Sequence, residues 1–109
     1  MTAPASRVVS VRACAKVNLS LRILGIRADG YHELRTTFQS LALHDTLSFE
    51  AVTGPFVIEA DDPSCPADES NLVWKAAARL WRASGHRAVP AGVRVRIRKR
   101  IPAQAGLGG

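Results

Sequence analysis

Lys16 and Asn18 stand two residues apart in the segment AKVNLSLRILGIRADGYHEL, which runs from Ala15 to Leu34. At that spacing an ammonium and a carboxamide can reach a single ligand. At the far end of the same segment Tyr31 and His32 are adjacent. Together they offer an aromatic face for stacking on a flat ring and an imidazole edge for hydrogen bonding, as nucleobase sites use. A third group lies at Pro102-Ala-Gln-Ala-Gly106-Leu107-Gly108-Gly109. Its glycines let backbone amides approach an anion without side-chain clash, and such a loop normally leads into a helix whose free amides hold that anion.

The elements that must position these groups can be read from hydropathy. From Val9 to Ile23 every odd position is apolar (Val9, Val11, Ala13, Ala15, Val17, Leu19, Leu21, Ile23). This is the period of a strand with one buried face. Lys16 and Asn18 then project from the opposite face, roughly 6 to 7 Å apart by strand rise. Gly25 and the pair Asp29-Gly30 predict a tight turn that delivers Tyr31 and His32. Thr36–Leu43 and Thr46–Val52 read as two strands joined by a hairpin at His44-Asp45, with Gly54-Pro55 breaking the second. Phe56–Ala60 is a short strand, and Asp61–Ser70 (DDPSCPADES) a loop. Asn71–Ala83 reads as a helix with Asp68 or Ser70 as N-cap, Lys75, Arg79 and Arg82 on one face, and Gly85 ending it. Val93, Val95 and Ile97 alternate with Arg94, Arg96 and Arg98 in a last strand. The class is α+β, mostly sheet with one helix, without internal repeats.

Composition limits what such groups can do. A chain of 109 residues suffices for one small domain that buries roughly 60 to 70% of its unfolded surface, and falls short of a two-domain enzyme. The glycine-rich end leads us to expect a truncated piece of something longer. A net charge of +6 and a pI near 10.4 suit an anionic partner: nucleic acid, a membrane surface or a phosphorylated small molecule. Cys14 and Cys65 lack CxxC spacing and the number of a disulfide framework, so free thiols in a reducing compartment are expected. No stretch approaches the ~20 apolar residues of a membrane span. The N-terminal MTAPASRVVSVRAC lacks a signal peptide's apolar core, which makes the cytoplasm the expected location. His44 and His86 have no metal-ligand spacing.

Three blocks, AKVNLSLRILGIRADGYHEL at 15–34, NLVWKAA at 71–77 and KRIPAQAGLGG at 99–109, resemble the N-terminal third of the GHMP-superfamily small-molecule kinases. The AK-x-N-L and DGYHEL combination resembles the branch acting on 4-diphosphocytidyl-2-C-methyl-D-erythritol rather than on mevalonate, homoserine or galactose. The resemblance implies the N-terminal portion of a GHMP kinase fold, similar to domain 2 of ribosomal protein S5, with residues 1–109 an incomplete domain that ends inside the phosphate loop. It implies transfer of the ATP γ-phosphate to the substrate's 2-hydroxyl in non-mevalonate isoprenoid biosynthesis, with Mg2+ accompanying ATP. Lys16 would then favour the developing alkoxide and orient the base, with Asn18 as a substrate contact. Tyr31 would stack on cytosine and His32 hydrogen-bond near its edge. Pro102, Gly106, Leu107, Gly108 and Gly109 would hold the triphosphate, while Asn71 and Lys99 would lie near adenine and ribose. The family's catalytic aspartate, its second cytosine-stacking aromatic and its C-terminal domain have no counterpart up to Gly109. Asp29, Glu33, Asp45, Asp61, Asp62, Asp68 and Glu69 all fall in turns, a hairpin or a loop. A polypeptide ending at Gly109 is therefore expected to be inactive and to fold poorly.

Each group also has a plainer reading: Lys16 as a solvated strand lysine, Tyr31 as a turn residue packed on the sheet and His32 as a surface imidazole. Asn71 could be a helix cap, Lys99 part of a basic edge and the glycine run a flexible tail. Two other functions compete, a basic RNA-binding module and a GHMP kinase for a sugar or mevalonate. RNA binding fits the charge, but Trp74 and Trp81 fall in the predicted helix and no ring interrupts the arginine stripe, unlike the stacking platforms of single-strand binders.

Overall fold

The computed structural model describes residues 7–109. Its elements are β1 (Val8–Ile26), β2 (His32–Pro55), β3 (Val57–Ala60), α1 (Leu72–Ala83) and β4 (Ala91–Arg98). The strands form one sheet in the order β1-β2-β4-β3. β2 runs antiparallel to both β1 and β4, whereas β3 is parallel to β4. A parallel pair needs a crossover, and α1 supplies it. Mixed α+β structure with one helix is what the hydropathy pattern predicts.

The alternation in β4 builds the core. Val95 and Ile97 are buried with Phe56 and Ile58, each worth about 1.5–3 kcal/mol by removal from water. Leu47 and Phe49 of β2 stand opposite Ile97 and Val95. α1 closes the cluster with Val73, Trp74 and Ala77, Trp74 meeting Phe56 edge-on at 5.1 Å between ring centroids. On the other face of β4, Arg94 pairs with Glu50 and Glu59, and Arg96 with Glu59.

The N-cap of α1 is Asn71, whose Oδ1 accepts the Val73 amide at 2.9 Å, and neither Asp68 nor Ser70 fills that role. Asp68 instead accepts the amide and hydroxyl of Ser70 in a turn one step earlier. At the other end Ser84 caps the helix, and Gly85 (φ 91°) takes the left-handed conformation that turns the chain away.

Three expectations about the first two strands need correction. No hairpin forms at His44-Asp45, because Cys14 and Ala13 pair with these two residues and keep β2 one continuous strand of 24 residues. The Gly54-Pro55 break is incomplete too, since Pro55 still pairs with Ala91. The odd positions of β1 do not share one buried face. Asn18 opposes Phe38 while Ser20 opposes Thr37, so Leu19 is an extra residue in a β-bulge that reverses the alternation. Beyond it Leu21 and Ile23 oppose Thr36 and Leu34, on the face that carries Lys16 and Asn18. Of the odd positions only Ala15 is buried, and Leu19, Leu21, Ile23, Ile26, Leu34 and Phe38 all expose more than half their surface.

Exposure follows from length. β1 and β2 far outrun the eight-residue β4, so their distal half is a two-stranded arm with no other described element packed against it. The radius of gyration is accordingly 17.7 Å, against about 13 Å for a compact chain of this length.

Where β4 ends, Asp45 takes over. It is buried, and its Oδ1 accepts the amides of Arg100 (2.6 Å) and Ile101 (2.9 Å) while Oδ2 accepts Lys99 Nζ at 2.7 Å. Burial alone would raise its carboxyl pKa, but these three donors outweigh it and hold the group below its ordinary 3.8.

Two outcomes test this layout. Ile58→Ala should lower unfolding free energy by about 2–5 kcal/mol, and Leu21→Ala should change it by no more than about 0.5 kcal/mol, both read by urea titration. Because the folded pKa of Asp45 is depressed, its contribution is complete above the unfolded value and lost as pH falls through the folded one. Stability should therefore drop below about pH 3.8, and the drop should be smaller in Asp45→Asn when the two urea midpoints are compared across pH.

Candidate functional site

Lys16 sits where β1 meets the glycine run. Its main-chain N–H donates to Leu107 O at 2.9 Å. Its Nζ donates to Asn18 Oδ1 at 2.9 Å and to Gly106 O at 3.1 Å, and lies 5.5 Å from the Phe38 ring centroid. An ammonium has three N–H donors, so one remains for a ligand. Asn18 is oriented in turn, since its Nδ2 donates to Thr36 Oγ1 at 2.9 Å, and that hydroxyl donates to Ser20 O at 2.7 Å. Lys16 and Asn18 thus share a face and touch, as their spacing predicts. No carboxylate among the described residues pairs with Lys16.

The glycine run folds back on its own root. Gly106 and Gly108 have φ of 75° and 79°, and Gln104 is left-handed at 57°. A Cβ at residue 108 would approach Lys16 Cγ to 3.2 Å, and one at residue 109 would overlap Ile101 and stand 3.0 Å from Lys99 Nζ. Glycine at these two positions is thus what lets the loop lie against both lysines.

Beside the loop is a cavity of about 400 Å³ whose walls include Asn71, Lys99, Gly108 and Gly109. Cys65 lines it as well and accepts a long contact from Asn71 Nδ2 at 3.4 Å. Both Cys14 and Cys65 are free thiols. Asn71 is committed to two tasks, since it caps α1 and donates to Pro66 O at 2.7 Å. Lys99 is held by Asp45 and does not extend a free basic edge. Pro102, Gly106 and Leu107 belong to the loop without lining the cavity. The Asp62 and Asp68 carboxyls are held below their ordinary value, chiefly by the hydroxyls of Ser64 and Ser70.

Tyr31 and His32 form a second cluster, away from the first. Asp29 Oδ1 accepts the Tyr31 amide at 3.1 Å and Gly30 donates to Arg27 O at 3.0 Å, which fixes the turn. The Tyr31 ring is 73% exposed, so it does not pack on the sheet. His32 pairs with Ile26 and falls on the Lys16 face, but β2 separates it from Ser40, the partner of Lys16, by roughly 26 Å of strand. The described residues bring the lysine, amide and glycine groups together and leave the aromatic pair apart.

Sequence reasoning overlooked Thr36, Phe38 and Asp45. Asp45 carried a usable signal, being in phase with the inward-facing Leu47 and Phe49. Thr36 and Phe38 carried none, because their approach to Asn18 and Lys16 depends on the register of β2 against β1.

No family model matches the sequence. Curated relatives do, among them 4-diphosphocytidyl-2-C-methyl-D-erythritol kinase of Acetivibrio thermocellus, 42% identical over 101 residues that make up 93% of this chain and 35% of that protein. The protein of the same name from Rhodococcus jostii is 46% identical over 105 residues, 94% of this chain and 33% of the relative. Among solved structures, a crystal structure of 4-(cytidine 5'-diphospho)-2C-methyl-D-erythritol kinase superposes with a TM-score of 0.72 at 40% identity, over 93% of this chain and 35% of that one. The chain spans about a third of the length of the relatives it matches. Over the residues it spans, the chain is similar in sequence and in fold to the 4-diphosphocytidyl-2-C-methyl-D-erythritol kinases.

Proposed function

We propose that the chain is the N-terminal part of a kinase domain, the part that holds ATP and the acceptor hydroxyl of 4-diphosphocytidyl-2-C-methyl-D-erythritol while the γ-phosphate moves to the 2-hydroxyl. The observation that carries this reading is the meeting of Lys16 with the glycine run, through Gly106 O at 3.1 Å and Leu107 O at 2.9 Å. Phosphoryl transfer demands positioning and charge stabilisation more than covalent chemistry. A fixed ammonium with a free N–H beside an anion-binding loop meets that demand. ATP would occupy the cavity beside Asn71 and Lys99 with its phosphates on the loop, and Asn18 would take a hydroxyl of the substrate. Tyr31 and His32 would receive the cytosine, which requires the distal arm to bend toward Lys16 when the substrate binds.

Mg2+ would arrive with ATP. Among the described residues no group of three His, Cys, Asp or Glu side chains could hold a metal, and the ion would be bound through the phosphate oxygens of ATP. The base for the attacked hydroxyl has to come from outside the described residues, because no carboxylate there reaches Lys16. Among those residues no helix is long and apolar enough to cross a membrane, and we place the enzyme in the cytoplasm, with the rest of a small-molecule pathway. The competing RNA-binding reading loses support because Arg94 and Arg96 are engaged with Glu50 and Glu59 at 3.2 to 3.9 Å.

Binding and rate measurements test these roles. In the complete enzyme, Lys16→Ala should lower the rate of transfer on the order of 10²-fold or more, with a smaller change in substrate affinity; an unchanged rate removes Lys16 from the chemistry. Tyr31→Ala should chiefly weaken substrate binding, by about 1–3 kcal/mol as for loss of a base-stacking ring. A polypeptide of residues 1–109 alone should turn over no substrate, and product formation by it would refute the missing base.

A further inference from the structure

We infer that Asp45 is a positioning residue for the glycine loop, setting where Gly108 and Gly109 present their backbone by fixing the main chain at Arg100 and Ile101. One carboxylate pins three successive residues, through Lys99 Nζ, Arg100 N and Ile101 N. Two of the three bonds go to main-chain amides and share Oδ1, so what matters most is where that oxygen stands. The only other side-chain anchor of this segment among the described residues is Asp61, which accepts the Lys99 amide at 2.8 Å and is itself about half exposed.

From Ile101 the restraint passes to the loop by contact. Ile101 is 2% exposed, and residue 109 lies so close to it that any side chain there would overlap it. On the other side Gly108 rests on the Lys16 stem. The far end of the loop is therefore wedged between Ile101 and Lys16, and a shift of the main chain at 100–101 displaces the surface on which Gly109 rests. Between these contacts the loop runs through the left-handed residues Gln104 and Gly106 without a strand or helix to stiffen it. Its shape depends on where its two ends are held.

This role presupposes the nucleotide-site reading above, and two substitutions with opposite defects separate position from charge. Asp45→Asn keeps an acceptor oxygen in place and removes the charge, whereas Asp45→Glu keeps the charge and moves the oxygen by one methylene. In the complete enzyme, ATP affinity measured by calorimetry, at a temperature where circular dichroism shows each variant folded, should change by less than about threefold in Asp45→Asn and weaken at least tenfold in Asp45→Glu. The reverse order, or equal affinity in all three proteins, overturns the role. A purely structural contribution would move the thermal midpoint and leave affinity unchanged. If the unsubstituted enzyme does not bind ATP, the nucleotide reading fails, and the amide resonances of Gly106, Gly108 and Gly109 decide about Asp45. They should shift in Asp45→Glu and stay in Asp45→Asn, and their constancy in both overturns the positioning role.

Discussion

The carboxylate of Asp45 does for the end of β4 what a strand would otherwise do. Main-chain pairing between β2 and β4 ends at Thr46 opposite Arg98, so the next residue of β2 is Asp45 itself. Past that point the half-buried amide of Arg100 and the buried amide of Ile101 have no ladder to receive them, and a buried N–H without a partner costs about 1–3 kcal/mol. Asp45 satisfies both and is compensated by the Lys99 ammonium. Such a pair contributes little net stability against an apolar replacement of the same shape, but losing one partner strands the other charge. Its value lies in geometry. It stops the sheet at a defined residue and launches the glycine run from a fixed origin.

The opposite end of the molecule follows other rules. A two-stranded arm is at best marginal by itself, and this one buries almost none of its leucines and isoleucines. Both of its strands continue into the four-stranded body, across a register shift between Cys14 and Lys16. Two bulges, at Leu19 and Leu24, bring Leu21, Ile23 and Ile26 to the face of Lys16 and Asn18. An apolar surface thus runs from the lysine toward His32. Among the described residues its aromatic rings are Phe38, opposite Asn18, and Tyr31 at the turn, both exposed.

Legibility in the sequence divided along the same line. Where a strand is regular and covered, as in β4, the alternation of Val93, Val95 and Ile97 with three arginines gave element, face and core together. The helix was equally plain, apart from its cap, because Asp68, Ser70 and Asn71 are all good capping residues and only the packing of the Pro66 carbonyl against Asn71 selects one. In β1 the period of two misled, since one extra residue at Leu19 reverses the side chains from Ser20 to Ile23 and leaves no trace in hydropathy. The apparent hairpin at His44-Asp45 failed for a related reason: a polar pair between apolar runs marks a turn only when no partner strand crosses it. Lys16, Asn18 and the glycines were legible because contact between them is local or enforced by a loop of fixed length. The link from Asp45 to the loop spans more than fifty residues and shows only when the fold is assembled.

Peptide geometry carries the site one step further. The carbonyls of Gly106 and Leu107 both turn toward Lys16, and no peptide bond here is cis. In a trans peptide the N–H points opposite to the carbonyl, so the amides of Leu107 and Gly108 face away from Lys16. On the proposed assignment the loop is a partition, with amides for the phosphates on one side and the ammonium and Asn18 for the acceptor on the other. The γ-phosphate would then meet the hydroxyl at the rim of that partition, at Gly106, where backbone without a side chain leaves both sides open. That places the tightest steric demand on the glycines themselves. On the same assignment the ammonium held on Gly106 O offsets the carbonyl face of the loop, which would repel a phosphate, without occupying the amides that attract it.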